Sequence, residues 1–317
     1  MRKQWLVLCL AVGFLVVNGG GLAGASPADK IDPAPAQPSP DRNWQIGFNP
    51  SYSSGNYGTN TTSSFLYAPI SIRRFFKDGD IALVIPFVTA MTDGRTTLVG
   101  GNAVQVDDGG GSNSGTGGGG GGAPDDGGCS GKDFPGIPGN ARTCGATNRL
   151  AGQNVTTSGL GDIILRGRYY IVEEKGWTPL VAITGRLKLP TAEASRGLGT
   201  GKMDEGVGAE ISKLLGDNWI TFLDGGFNII GRPEGLNLRN QWWYDVGAGY
   251  YFAKNLLGTV YFEEYRSLVS GAQNIRDVFF GMSYRASSEW RFNGGVAVGV
   301  SNGAPDHVVS VGTSYRF

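Results

Sequence analysis

Apolar and polar residues alternate along this chain in about twelve separate segments, from "NWQIGFNPSY" at Asn43 to "HVVSVGTSYRF" at the C-terminus. The last segment places His307, Val309, Val311, Thr313, Tyr315 and Phe317 on one face. Val308, Ser310, Gly312, Ser314 and Arg316 fall on the other. A period of two predicts a strand with different surroundings on its two sides. "QWWYDVGAGYYF" and "IRDVFFGMSYRA" sort in the same way. A soluble sandwich offers such surroundings as core and water, and a membrane barrel as lipid and lumen.

Connection lengths separate the two. Tight turns ("FKDGD", "GDN", "AKN") alternate with long stretches ("SGNYGTNTTS", Thr92 to Gly159, "EASRGLGTGKMDEG", "RPEGLNLRN"). Bacterial outer-membrane barrels carry short periplasmic turns and longer outer loops. The pattern therefore predicts an all-β fold, a transmembrane antiparallel barrel of about twelve strands over residues 42–317, with both termini periplasmic. The long Gly-rich loop 92–159 is expected to hang outside it.

Charge placement agrees. A cation facing lipid at midplane costs about 2–4 kcal/mol, so charges should collect on one parity. Arg166, Arg168, Arg186, Lys188, Glu210, Asp224, Asp245, Asp277 and Arg285 all lie opposite the apolar face. With the rings of Tyr170, Trp243 and Tyr251 they are the expected pore lining. "FEEYR" breaks the rule, because Glu263 and Glu264 cannot both point inward from a regular strand; a bulge or an edge position would resolve it. Trp177, Trp219, Trp290, Tyr315 and Phe317 sit at predicted periplasmic ends, where amphipathic rings mark a membrane interface.

The N-terminus fits export. Arg2 and Lys3 precede the apolar run Trp5 to Val17 and the small-residue site Ala23-Gly24-Ala25, so residues 1–25 read as a signal peptide. Residues 26–41, rich in Pro and Ala, read as a periplasmic linker. The expected location is the outer membrane of a Gram-negative bacterium. Cys129 and Cys144 are then expected to form a disulfide within the outer loop. A formal net charge of zero gives no case for a nucleic-acid partner. The single histidine, His307, shares the outward parity of Val309, away from Ser310, and makes a poor general base. No enzyme activity, metal or cofactor is expected. "GGGGGG" at Gly117 has no strand before it, helix after it or Lys in place, and reads as loop, not phosphate cradle.

Two resemblances extend this. A chain ending in "SYRF" resembles the C-terminal signature read by the outer-membrane barrel assembly machinery. Gly159 to Asp162, Lys188 to Thr191 and Gly199 to Gly201 resemble the Gly-Leu-Gly-Asp, Lys-x-Pro-Thr and Gly-Thr-Gly motifs of the outer-membrane family of meta-pathway phenol-degradation proteins. The resemblance runs from Ser158 to Phe317 and leaves out the Gly-rich insertion. It implies transport of hydrophobic or aromatic compounds. The expected partners are outer-membrane lipid and small solutes. Two roles remain open from the sequence: a channel for small solutes, or a barrel plugged by its own ion pairs that serves structure or surface interaction.

Overall fold

The computed structural model describes residues 42–99, 101–105, 154–234 and 236–317; the expected signal peptide, linker and Cys129–Cys144 disulfide lie outside them. The strands are β1 (Trp44–Phe48), β2 (Ser51–Gly55), β3 (Ser63–Phe76), β4 (Gly79–Thr92), β5 (Thr96–Val99), β6 (Asn102–Gln105), β7 (Val155–Leu160) and β8 (Ile163–Val172). They continue as β9 (Leu180–Leu189), β10 (Asp204–Leu215), β11 (Trp219–Ile229), β12 (Gln241–Ala253), β13 (Leu256–Tyr265), β14 (Ile275–Arg285), β15 (Trp290–Gly299) and β16 (His307–Arg316). β1 and β2 run end to end as one stave, as do β7 and β8, which makes twelve antiparallel staves. The last stave pairs with the first, Gln45 opposite Arg316 and Ser54 opposite His307. That closure leaves no sheet edge, the condition for a sheet to stand in hydrocarbon.

The two interrupted staves have one cause. Pro69 of β3 and Pro86 of β4 face each other in register. A strand residue directs its N and its C=O to the same neighbour, so each proline withholds a donor from the stave on its far side. The Pro69 carbonyl still accepts from the Asn49 amide at 3.4 Å, and the Pro86 carbonyl from the Gly161 amide at 2.8 Å. Those acceptances fall at Asn49–Pro50 and Gly161–Asp162, where the two neighbouring staves break. The β3–β4 ladder between the prolines loses nothing.

Side chains sort as the alternation predicts. Ile70, Ile72, Leu83, Phe87, Ile183, Leu223, Phe280 and Val298 stand exposed on the outer surface. Arg73, Asp80, Asp224, Asp245, Glu263 and Asp277 are buried inside. Short turns at 77–78, 216–218, 254–255 and 286–289 gather at one end with both termini of the barrel; the longer connections gather at the other. At the short-turn end Trp290 packs on Tyr315 with centroids 4.9 Å apart, Tyr315 stacks on Phe317, and Trp219 meets Tyr250 at 5.0 Å. Trp177, in the turn after β8, is 93% exposed.

"FEEYR" is resolved by position, not by a bulge. The β13–β14 register runs unbroken through Glu263 and Glu264. Glu263 points inward. Glu264 faces outward at the long-loop rim, where Tyr244 Oη (2.9 Å), Asn274 Nδ2 (2.7 Å) and Arg276 (2.9 Å) surround its carboxylate.

One expectation changes. The start of loop 92–159 does not hang outside: β5 and β6 form a hairpin whose eight residues are all buried. Val99 pairs with Asn102 across a tight turn in which Gly101 takes φ +93°. Leu98 and Ala103 pack with Tyr57, Phe65, Tyr67, Val88 and Ala90 of the β2–β4 wall. Val99 and Val104 pack with Ile230, Leu238, Tyr265, Leu268 and Ile275 on the far side. The hairpin therefore crosses the lumen near its long-loop end. "TTLV" and "NAV" are apolar enough to prefer this interior to water.

Glycines on the wall make room for the interior rings. A Cβ on inward-facing Gly295 would sit 2.1 Å from Phe279 Cζ, whereas one on outward-facing Gly185 meets nothing within 4 Å. Gly295→Ala is expected to destabilise the barrel by about 1–3 kcal/mol through overpacking. Gly185→Ala should stay within about 0.5 kcal/mol of the parent. Urea unfolding in lipid vesicles measures both.

Candidate functional site

Antiparallel register places inward charges of neighbouring strands directly opposite one another. Glu210 faces Asp224, Asp224 faces Asp245, Asp245 faces Glu263 and Glu263 faces Asp277. This is an unbroken carboxylate row across β10 to β14. On the β8–β9 wall Arg166 faces Arg186. Like charges directly opposite repel, so each row needs charge of the other sign nearby. Tyr265 lies where they meet, within the electrostatic reach of Asp245, Glu263, Asp277 and Arg186. None of these charged residues is without a partner in the barrel.

Toward the short-turn end the charges interlock. Asp80 lies 3.5 Å from Arg73 and 3.9 Å from Arg168, and Arg168 also reaches Glu210 at 2.9 Å. Tyr170 is half-buried among Arg168, Asp80 and Glu210. Between this band and the hairpin lies a cavity lined by Arg73, Arg166, Arg168, Arg186, Glu210 and Trp243, with Asp80, Thr184, Asn228 and Tyr265 completing its polar and aromatic surface. A water's centre can move through about 80 Å³ of it, inside about 660 Å³ of empty space partly continuous with solvent. One water needs roughly 10–15 Å³ by that measure, so several fit. Trp243 and Tyr265 stack at 6.1 Å and 21°. They line the cavity on one side and pack against the hairpin cluster on the other.

Another part of the lumen is filled. Phe222, Tyr261, Phe279, Ala297 and Val308 form an apolar cluster against the β11–β16 wall, with Tyr261 on Phe279 at 4.8 Å. Gly247, Gly281 and Gly295 provide the bare backbone beneath these rings.

Of the residues expected to line a pore, Arg166, Arg168, Arg186, Glu210 and Trp243 come together around the cavity. Asp224, Asp245 and Asp277 point inward but are buried in the carboxylate row. Tyr251 packs on Ile220 and Leu257. Arg285 is exposed at the short-turn rim. Lys188 differs from expectation, having no exposed surface. Its Nζ lies 2.7 Å from Asp204, 3.3 Å from Asp162 and 2.9 Å from Thr200 Oγ1. This knot explains the three motifs of the sequence. Asp162 also accepts from the Ala192 amide, and Thr191 Oγ1 donates to the Gly161 carbonyl while accepting from the Ile163 amide. Gly199 must lack a side chain because its Cβ would sit 2.7 Å from Asp162 Oδ2. The motifs fasten the broken stave β7–β8 to β9, β10 and the loop between them. Arg73, Asp80 and Tyr265 are inward residues that the sequence does not single out, while Glu263 is one of the two glutamates between which it does not choose. Parity would have found Arg73; Asp80 was hidden in a turn motif.

The hairpin is tethered by its first residues. Asp93 is fully buried and receives Arg95 Nε (2.8 Å), the Arg95 amide (3.1 Å) and Thr61 Oγ1 (2.9 Å). Thr97 Oγ1 donates to the Gly197 carbonyl at 3.0 Å. Burial alone would raise the Asp93 carboxyl, but the bonds from Arg95 and Thr61 outweigh it and hold the carboxyl below its ordinary value.

Together these features define a transmembrane β-barrel with a charged lumen crossed by a folded-in hairpin. A family model described as "Putative MetA-pathway of phenol degradation" matches residues 80–317, and the chain belongs to that family. The match starts well before the three motifs. Among solved structures, the COG4313 outer membrane channel from Pseudomonas putida F1 superposes with TM-score 0.61 at 10% identity, over 90% of this chain and 100% of that one. The NanC porin follows with TM-score 0.47, 8% identity and coverage of 86% and 100%. The KdgM porin follows with 0.44, 9%, 86% and 99%. At such identities the first likeness establishes the fold alone. Comparison with the curated proteins gives no match.

Two outcomes follow. Lys188→Met strands two buried carboxylates and is expected to cost about 3–5 kcal/mol, read as a lowered urea midpoint. The depressed Asp93 carboxyl stabilises the docked hairpin above its unfolded value of about 4, and that contribution is lost only as pH falls through the lower folded value. Amide exchange of Thr96–Gln105 should therefore show the same protection, corrected for intrinsic rates, from about pH 8 to about pH 5, and loosen below about pH 4.

Proposed function

We propose that this barrel is an outer-membrane channel that passes small solutes, hydrophobic or aromatic ones in particular. The observation that carries the reading is the cavity beneath the hairpin. A lumen serving structure alone has no reason to keep solvent-connected space between an arginine wall and a stacked indole–phenol pair. Support for an aromatic cargo comes from the family's description and from the Trp243–Tyr265 surface. The short-turn end, with its aromatic ring and both termini, is the periplasmic end, and the long loops face outward. Phe317 is the residue offered to the assembly machinery. The hairpin is the gate: the space beneath it admits water and small ions, and a larger solute passes when β5 and β6 leave their two apolar clusters.

Planar-bilayer recording tests this on the refolded, signal-free protein. The parent should show small, steady openings, and a variant lacking residues 96–105 should conduct several-fold more. If neither carries current while both still migrate as heat-modifiable barrels, the lumen is a plug and the structural role stands instead.

A further inference from the structure

On the outer face of the barrel, Lys or Arg side chains occupy outward positions of the described strands at Arg74 of β3, Lys213 of β10 and Arg276 of β14. Two of these meet a carboxylate of the same chain: Lys213 reaches Glu174 at 2.6 Å, and Arg276 reaches Glu264 at 2.9 Å. Arg74 meets rings instead. Its guanidinium carbon lies 5.3 Å from the ring centre of Trp44 on β1 and 5.3 Å from that of Phe76, two residues along its own strand. Its other outward neighbours, Ile72 and Ile81, are apolar and exposed. Ring faces attract a cation but leave the five N–H donors of a guanidinium without conventional acceptors. Among the described residues no group accepts a hydrogen bond from the Arg74 side chain. The sheet fixes its depth. Trp44 stands opposite Arg74 and exchanges backbone hydrogen bonds of 3.0 and 2.8 Å with Phe317. Arg74 is therefore level with the Trp290–Tyr315–Phe317 band at the short-turn end. Such bands sit at the headgroup level of a bilayer, where a lipid-facing cation costs little.

We infer that Arg74, held between Trp44 and Phe76, is a docking site for the phosphate group of a glycerophospholipid. A guanidinium binds a phosphate oxygen pair through parallel, charge-assisted hydrogen bonds, which no ring supplies. Contact with two rings also orders the long side chain beforehand, so little freedom is left to lose when the lipid arrives. Glu174 and Glu264 satisfy the other two outward cations from within the protein. At Arg74 the counter-charge comes from the membrane. Because Trp44 belongs to the stave that closes on β16, the bound lipid lies beside the seam of the barrel. The inference rests on the periplasmic assignment of the short-turn end for the choice of lipid, and it does not depend on conduction.

Native mass spectrometry of the folded, signal-free protein tests it, with phosphatidylglycerol, a diacylglycerol of the same chains, or inorganic phosphate added to the detergent. The parent should retain one phosphatidylglycerol under activation that strips diacylglycerol and free phosphate. Arg74→Gln should lower that retention by about tenfold. Trp44→Leu should lower it by less, since the charge remains and only its orientation is loosened. Arg276→Gln should leave it unchanged, because Glu264 already satisfies that cation. Equal retention of diacylglycerol, or full retention of phosphatidylglycerol by folded Arg74→Gln, overturns the site. Inorganic phosphate held as tightly as the lipid would make this a free-anion site and overturn the lipid assignment. Heat-modifiable migration reports whether each variant is folded. If Arg74→Gln does not fold, the comparison of the two lipids on the parent protein decides alone. A silent planar bilayer with lipid retention intact would remove the channel and keep the site; conductance without retention would do the reverse.

Discussion

Everything in this molecule follows from the need to pair backbone amides where water is absent. In hydrocarbon an unpaired N–H or C=O costs several kcal/mol, so the sheet must close, and it does so by pairing the first stave with the last. Closure fixes the parity of every stave, and parity decides which side chains meet lipid and which meet each other. Pro69 and Pro86 show how little freedom the constraint leaves. They are tolerated because they face each other across a position where neither owes the other a bond, and the loss is passed outward to staves that break there.

The same parity brings the charges together. Because opposite residues in an antiparallel sheet are direct neighbours, one inward carboxylate per strand becomes a continuous row, and two inward arginines become a pair. Neither arrangement is stable alone. The rows lie on different walls, and two further sectors of the lumen hold packed apolar groups, one of aromatic rings laid over glycines and one of the hairpin.

Much of this was legible in the chain. The alternation marks all twelve staves, the inward parity of Arg166, Arg186, Asp224, Asp245 and Asp277, and the aromatic character of the short-turn end. Glu264 could be foreseen as an edge residue, though a bulge served the pattern equally well. What was not legible depends on contacts between distant segments. Lys188 reads as one more inward cation; only the fold shows that Asp162, at the break between β7 and β8, and Asp204 of β10 converge on it. The hairpin does not stand out in the sequence, because two runs of four residues beside a glycine-rich stretch carry too short a period. Asp80 reads as turn chemistry because it lies beside Gly79 in a sequence that does make a turn.

The stacked pair Trp243 and Tyr265 belongs to two assemblies at once, the cluster that seats the hairpin and the wall of the cavity. Shared rings make the two events thermodynamically reciprocal. Whatever factor a docked hairpin contributes to the affinity of a solute below it, the solute returns as the same factor in the hairpin's closing equilibrium. If the hairpin is the gate proposed above, a solute that presses the rings toward it holds it shut, and one that draws them away loosens it. In the gating reading proposed above, cargo and barrier are coupled through this shared aromatic contact.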